Sequence, residues 1–240
     1  VMEVSEEGQV VSFAEKPENP KPLPHDINRS LVNMGVYVFK TEPLVRAVIA
    51  DAKEDTAHDF GRNIIPAMMA SKRVFAFNII QQCPGLFHYW QDIGTLDGYF
   101  RTNMELLLPH PPFDLLDTQW PVRTYHGQYP PALMRNIGDM EARAVNSLIS
   151  PGCVVSGASV RRSVLSPGVS VGPAAIVDES ILMPGVKIGD RAFVRHAIVD
   201  ANVVIPPDAH IGSAPEEDRR RFQMTDGGVV VVPEGVKIVY

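Results

Sequence analysis

The chain has 240 residues, of which 45% are hydrophobic and 21% charged, and a formal net charge of −6 at pH 7. This composition is typical of a soluble globular protein. The negative charge argues against a nucleic-acid-binding protein, which needs a basic surface, and no apolar run is long enough to predict a membrane-spanning helix. Two cysteines are too few for a disulfide framework and favour a reducing, cytoplasmic location.

The first hundred residues predict an α/β layer. A β-hairpin is expected over residues 1–14, and a proline-rich surface loop over residues 17–30. The nearly continuous apolar run Leu31–Phe39 predicts a strand that is buried on both faces of a mostly parallel sheet. Alternating strand and helix patterns of this kind indicate the remnant of an α/β domain.

Four further elements continue this layer. A helix begins near Thr41, and a second helix follows the capping residues His58 and Asp59. A strand is expected over residues 73–80, and a helix with a buried apolar face opens at Thr95.

Residues 108–145 are dense in proline and predict a linker across the domain surface. The chain then repeats itself, with copies that begin at Ile149, Leu165, Leu182 and Val199, 16 or 17 residues apart. Aliphatic residues that recur every fifth or sixth position with a fixed-period repeat predict a left-handed parallel β-helix. A sandwich of short strands is the alternative. A helical turn over residues 214–222 and a closing strand over residues 228–233 are expected to complete the domain.

Three short groups of residues carry side chains that are suited to binding or catalysis. Glu15 and Lys16 stand before Pro17 at a strand end; a lysine suits a phosphate and a glutamate accepts from sugar hydroxyls, whereas a surface ion pair is the alternative. Asp92 precedes a Gly-Thr turn and a helix, where it either holds Mg²⁺ or caps the turn.

The third group, His58 and Asp59, favours helix capping over chemistry. His196 and His210 lie within the repeat, where a histidine between coils serves as a general base in some acyltransferases. Neither has an evident catalytic partner, and both are expected to be exposed. The basic run Arg219–Arg221 favours a solvated helix face over an anion site.

Read in order, these motifs resemble one family, the bacterial ADP-glucose pyrophosphorylases (glucose-1-phosphate adenylyltransferases). The resemblance rests on an ordered set of segments that spans essentially the whole chain: Glu15–Pro17, Ser30–Phe39, His58–Gly61, Tyr89–Thr95, Trp120–Tyr125, Asn146–Ser150, the repeat, and Glu216–Phe222.

The resemblance implies transfer of the adenylyl group of ATP to glucose 1-phosphate, giving ADP-glucose and pyrophosphate for glycogen synthesis. Glu15 and Lys16 would bind glucose 1-phosphate, Asn33 would stand where the family has a serine that contacts the sugar, and Asp92 would be a ligand of Mg²⁺. The family is tetrameric and responds to sugar-phosphate or nucleotide effectors, so a homotetramer with such effectors is implied.

The resemblance also implies an arrangement of domains. Residues 1–107 would be the later part of a nucleotidyltransferase (Rossmann-like) domain, 108–145 a linker, and 146–240 the β-helix with a capping tail. The family's Gly-rich loop for ATP is not found in the chain, so this chain alone is expected to be an inactive fragment without confident catalytic residues. Another sugar-phosphate nucleotidyltransferase, a non-catalytic regulatory subunit and a β-helix acyltransferase are the alternatives.

Overall fold

The computed structural model describes residues 1–14, 17–23, 26–83, 89–125, 127–236 and 238. The chain divides by its contacts into two compact units, Val1–Trp90 and Gln91–Tyr240. Each unit is described by itself.

The first unit opens with the predicted hairpin. Strands β1 (Met2–Val4) and β2 (Val10–Phe13) pair in antiparallel register, with Met2 opposite Phe13. Gly8 has a φ of +80° in the connecting turn, a conformation that glycine adopts without steric cost. The rest of the unit is helical, with α1 (Thr41–Asp51), a π-helical turn (Phe60–Ile64), α2 (Ile65–Met69) and α3 (Ile79–Gln82).

The two further strands predicted for this unit are wrong. Residues 31–39 form one isolated bridge, from Leu31 to Met2, and residues 73–80 form one, from Phe75 to Gln9, before α3 begins. An apolar run becomes a buried strand only where neighbouring strands satisfy its backbone. Within the described part of the chain no such neighbour flanks residues 32–38, and Val36 and Val38 are 76% and 99% exposed.

The connector after α1 is held to the end of that helix by its own side chains. The Thr56 hydroxyl donates to Asp51 Oδ1 at 2.9 Å, and His58 Nδ1 lies 2.8 Å from Asp51 Oδ2. The hydrogen bond from His58, followed by that from Thr56, holds the pKa of the Asp51 carboxyl below its ordinary value.

The second unit begins with the predicted helix, α4 (Leu96–Glu105), whose N-cap Thr95 accepts a hydrogen bond from the Gly98 amide at 3.0 Å. A parallel β-helix follows. Its elements, in chain order, are β3 (Leu133–Arg135), β4 (Arg143–Val145), β5 (Leu148–Ile149), β6 (Val154–Ser156), β7 (Ser159–Arg161), β8 (Val164–Leu165), β9 (Ser170–Val171), β10 (Ile176–Asp178), β11 (Ile181–Leu182), β12 (Lys187–Ile188), β13 (Phe193–Arg195), β14 (Ala197–Val199), β15 (Val204–Ile205), β16 (His210–Ile211), α5 (Pro215–Arg221), β17 (Gln223–Met224) and β18 (Val230–Val232).

The predicted left-handed β-helix is confirmed, and the sandwich alternative is wrong. The strands form three parallel sheets, β3-β6-β9-β12-β15, β4-β7-β10-β13-β16 and β5-β8-β11-β14-β18, with β17 antiparallel at the edge of the third. The first coil begins at β3, within the segment that the sequence analysis assigned to a linker. The fifth coil takes its third strand, β18, from beyond α5, as the expected closing strand.

Three columns of inward aliphatic side chains fill the β-helix. They follow the in-register pairing of successive coils, and every member is at most 3% exposed. The columns are Val155-Val171-Ile188-Ile205, Val160-Val177-Val194-Ile211 and Leu165-Leu182-Val199-Val232. Each coil covers the apolar edge of the next, which is why one coil alone would be unstable.

A ladder of serines satisfies the backbone at the corner between the second and third sheets. The Ser180 hydroxyl donates to the Asp178 carbonyl at 2.8 Å and accepts from the Ala197 amide of the next coil at 3.3 Å. Ser163 does the same one coil earlier, with the Ser180 amide as its donor at 3.1 Å. Both serines are fully buried, so these hydroxyls replace water for amides that have no strand partner.

Helix α4 covers the outer face of the third sheet. Phe100 packs with Ile181, Ile198 and Val229 in a second apolar cluster. Asp97 accepts hydrogen bonds from the Thr225 hydroxyl and the Gly227 amide. The helix is therefore part of the β-helix unit by packing.

Among the helices in the described residues, none is long and apolar enough to cross a membrane.

We expect Ser180→Ala to destabilise the second unit. The substitution leaves the buried Ala197 amide without an acceptor, a loss of about 1–3 kcal/mol. Urea unfolding would measure it. Ser170→Ala is the matched control, because Ser170 is half-buried on the outer face, and it should change the free energy of unfolding by less than about 0.5 kcal/mol. Equal losses in the two variants would contradict the role given to the ladder.

We expect His58→Ala to raise the pKa of Asp51 towards its ordinary value of 3.8. A carboxyl whose pKa is lowered in the folded state stabilises that state at pH values above its ordinary pKa. This stabilisation disappears as the pH falls through the lowered pKa. The variant should therefore lose less stability on acidification, and NMR titration of the Asp51 carboxyl carbon would show the pKa directly. His110→Ala, at an exposed site, should leave that titration unchanged; an unshifted Asp51 in His58→Ala would refute the interaction.

Candidate functional site

The strand end that precedes the first candidate pair is well defined. After β2, the Ala14 amide donates to the Val1 carbonyl at 2.9 Å, and the N-terminal amine donates to the Ala14 carbonyl at 2.6 Å. Glu15 and Lys16 themselves lie outside the described residues. Their predicted role in binding a sugar phosphate stays a prediction.

Asn33 anchors a turn of the first unit. Its Oδ1 accepts from the Gly35 amide at 3.0 Å, and its Nδ2 donates to the Tyr37 hydroxyl at 2.6 Å. Gly35 has a φ of +72°, and the Tyr37 ring stacks on Phe60 with a centroid distance of 5.5 Å. An amide has two donor hydrogens and two lone pairs. One donor and one acceptor of Asn33 therefore remain for a ligand.

Asp92 starts the turn that leads into α4. Its side chain is exposed, and Oδ1 accepts a hydrogen bond from the Gly94 amide at 2.9 Å. This oxygen therefore caps the turn, as the alternative interpretation of Asp92 predicted. Oδ2 has no hydrogen bond within the described part of the chain. Asp92 thus combines a structural oxygen with one that faces solvent.

Asp92 fits a cation as a single ligand. In the described ranges, no group of three or more His, Cys, Asp or Glu side chains is close enough to hold a metal ion. Mg²⁺ commonly takes one or two carboxylates and completes its octahedron with water and substrate phosphates. A single exposed carboxylate oxygen on a fixed turn matches that pattern of binding.

Of His58 and Asp59, Asp59 is the helix cap that the capping alternative predicted, whereas the His58 side chain bonds Asp51 and caps no helix. Asp59 Oδ1 accepts from the Arg62 amide at 2.8 Å at the start of the π-helical turn. His58 adopts a φ of +53° and bonds Asp51 as described above. Both side chains are engaged in local structure.

The two repeat histidines differ in their surroundings. His210 is exposed and stacks on Phe193 of the preceding coil, with centroids 5.9 Å apart. His196 is half-buried, contrary to the expectation of exposure, with its ring edge-on to Phe100 at 4.8 Å and its Nδ1 3.6 Å from Glu179 Oε2.

Sequence reasoning missed a charged cluster beside His196. Arg161, Asp178 and Arg195 stand in register on β7, β10 and β13. Asp178 is 3% exposed, and its carboxylate accepts from Arg161 at 2.9 Å and from Arg162 at 3.1 Å. Alignment of the repeat copies would have placed these charges in one column, because each coil repeats the same positions.

A cavity of about 250 Å³ adjoins this cluster. Its ionisable lining residues are Arg195, His196, Glu179 and Asp218. Asp218 is 2% exposed and accepts from the Gly212 and Ala214 amides. Because Asp178 accepts from two arginines of the preceding coil, we interpret the cluster as an ion-pair network that joins neighbouring coils.

In the basic run on α5, Arg219 and Arg220 are exposed, as expected, whereas Arg221 is half-buried, with its guanidinium 5.0 Å from the centre of the Phe222 ring. Arg219 pairs with Glu216 at 2.8 Å and Arg221 with Glu217 at 3.3 Å, each one turn away along the helix. Such pairs contribute little and indicate no ligand.

Comparison with known proteins gives two family matches. Residues 1–108 match the family described as "Nucleotidyl transferase", and residues 130–232 match "GlmU-like, C-terminal hexapeptide". The second match agrees with the β-helix in starting close to β3.

Several curated relatives align with nearly the whole chain. A glucose-1-phosphate adenylyltransferase of Thermus thermophilus is 48% identical over 99% of this chain and 59% of the relative. Glucose-1-phosphate adenylyltransferase 2 of Vibrio parahaemolyticus is 45% identical over 98% of this chain and 59% of the relative. Its namesake from Alkalilimnicola ehrlichii is 39% identical over 97% and 55%.

The chain thus spans 55–59% of the length of these curated relatives. An α/β unit that matches nucleotidyl transferases precedes a hexapeptide β-helix in the order that the motifs predicted. The chain belongs to the glucose-1-phosphate adenylyltransferase family.

Proposed function

We propose that the protein transfers the adenylyl group of ATP to glucose 1-phosphate, releasing pyrophosphate, and that this chain supplies the sugar-phosphate side of the site. The single observation that carries the proposal is 45–48% identity to glucose-1-phosphate adenylyltransferases over 98–99% of the chain. The identity extends through both structural units, so it covers more than the β-helix.

The chemistry needs a phosphate oxygen of the sugar positioned for in-line attack on the α-phosphorus of ATP, opposite the leaving pyrophosphate. In such transfers the protein contributes positioning and charge neutralisation. Lys16 would neutralise the phosphate of glucose 1-phosphate, and Glu15 would accept hydrogen bonds from its hydroxyls.

Asn33 would complete the sugar contact. The turn that it forms with Gly35 and Tyr37 fixes the direction of its amide before any ligand arrives. A fixed amide loses little conformational entropy on binding. The remaining donor and acceptor suit a hydroxyl of the sugar.

Asp92 would hold Mg²⁺ through Oδ2. The bound cation would supply neutralisation of phosphate charge. The bond from the Gly94 amide to Oδ1 and the Thr95 cap keep the carboxylate at a fixed position at the start of α4.

The wider setting follows from the same family. We infer a cytoplasmic enzyme of glycogen synthesis, a homotetramer, and control by sugar-phosphate or nucleotide effectors. An acyltransferase role is less well supported, because His210 stacks on Phe193 and His196 lies against Phe100.

Calorimetry of glucose 1-phosphate binding in the presence of Mg²⁺ tests the proposal. Lys16→Ala should weaken binding by about tenfold or more, since a hydrogen bond to a charged group contributes about 1.5–3 kcal/mol. Lys21→Ala is the matched control: Lys21 is an exposed lysine that pairs with Glu3 at 2.7 Å, and its loss should leave the affinity unchanged. Equal affinities of the Lys16→Ala variant and the unmodified chain would exclude Lys16 as the phosphate ligand.

Asp92→Asn separates the metal role from the turn. The amide keeps an oxygen for the Gly94 amide but removes the charge, so the fold should persist while the Mg²⁺ concentration for half-maximal glucose 1-phosphate binding rises severalfold. Asp114→Asn is the control, because Asp114 Oδ1 accepts from the Leu116 amide at 2.8 Å in the same kind of turn. An unchanged Mg²⁺ requirement in Asp92→Asn would remove Asp92 from the metal site.

A further inference from the structure

A groove of about 530 Å³ crosses the first unit between α1 and the π-helical turn with α2. We call it the α1–α2 groove. Its volume falls in the range of pockets that bind small organic ligands. None of the residues in the proposed function lines it, so the inference below does not rest on that proposal.

Small side chains create the groove. Ala47 and Ala50 of α1 and Ala67 of α2 line it, and together with Ile64 and Met68 they form its floor. Ile64 and Met68 are buried, at 4% and 8% exposure, so the floor is apolar and well packed. An apolar body can lie there without displacing a protein side chain.

The backbone beside the groove is unusual. Phe60–Ile64 form a π-helical turn, a rare form that is common at functional sites. It follows His58, a non-glycine residue with a φ of +53°, and such strained positions also cluster at binding sites. These residues are the His-Asp-Phe-Gly motif of the sequence. A helix cap needs neither the positive φ of His58 nor the π-helical turn.

The charges around the groove favour an anion. Arg62, from the π-helical turn, and Lys72 both line it, and within the described part of the chain neither side chain has a hydrogen bond or ion pair. Of the acidic lining residues, Asp51 is bonded to His58 and Thr56, which leaves Glu54. Arg46 is paired with Glu42. The side chains without partners thus carry two positive charges and one negative.

We propose that the α1–α2 groove binds a small organic anion. Arg62 and Lys72 hold its phosphate or carboxylate group, and its apolar body lies on the floor formed by Ala47, Ala50 and Ala67. Arginine and lysine are the side chains that bind such groups by charge-assisted hydrogen bonds. The apolar floor adds affinity in proportion to the area that it removes from water.

Three probes separate the contributions of charge and floor. Phenyl phosphate carries both features, inorganic phosphate only the charge, and benzyl alcohol only the ring. Titration of the whole chain, followed by amide shifts in the NMR spectrum, should place phenyl phosphate at residues 46–72 and show it binding more tightly than either of the others. Benzoate in place of phenyl phosphate tells whether a carboxylate serves as well as a phosphate.

The double variant Arg62→Gln, Lys72→Gln should weaken phenyl phosphate binding by about tenfold or more. Arg73→Gln is the matched control, because Arg73 is an exposed neighbour that does not line the groove, and it should leave the affinity unchanged. Ala67→Leu should also weaken binding, by filling the floor, whereas Ala70→Leu outside the groove should not. Unfolding curves of all variants confirm that each remains folded.

Three results would overturn the proposal. The first is the absence of saturable phenyl phosphate binding, and the second is a set of shifts that lies outside the groove. The third is equal weakening by Arg73→Gln and by the double variant, since binding would then follow the overall charge of the chain. Inorganic phosphate that binds as tightly as phenyl phosphate would overturn the role of the alanine floor.

Discussion

The second unit depends on the in-register stacking of aliphatic side chains from one coil to the next. Three columns run through the β-helix, and their members in the inner coils are almost completely removed from water. Because every coil presents the same positions, polar groups stack too: the serine ladder closes one corner, and Arg161 and Asp178 pair between neighbouring coils. One register thus fixes the core, the corner hydrogen bonds and the surface charges together.

The candidate metal ligand, Asp92, is connected to this β-helix through α4. Helix α4 is bound to the β-helix by the packing of Phe100 and by hydrogen bonds to Asp97. The turn that carries Asp92 is continuous with this helix through its N-cap, Thr95. Asp92 is therefore joined to the β-helix through α4, within the same unit.

The first unit is organised by local hydrogen bonds and small clusters. Asn33 fixes its turn by bonding Gly35 and Tyr37, and Tyr37 stacks on Phe60 at the start of the π-helical turn. The Asp51 carboxylate at the end of α1 forms hydrogen bonds with the side chains of Thr56 and His58. Phe60 thus joins the turn of Asn33 to the π-helical turn, whose residues Arg62 and Ile64 line the α1–α2 groove.

The sequence by itself predicted the β-helix, because a fixed period with aliphatic residues in register favours stacked coils over a sandwich, and it indicated the family, because ordered motifs cover the chain. It also located the cap at Asp59 and the start of α4 at Thr95, since helix starts are a local property of two or three residues. Only the tertiary structure decided that Val36 and Val38 stay exposed, that α4 packs on the β-helix, and that Arg62 and Lys72 line one groove. Each of these depends on which distant segments meet, and no short window of sequence contains that information.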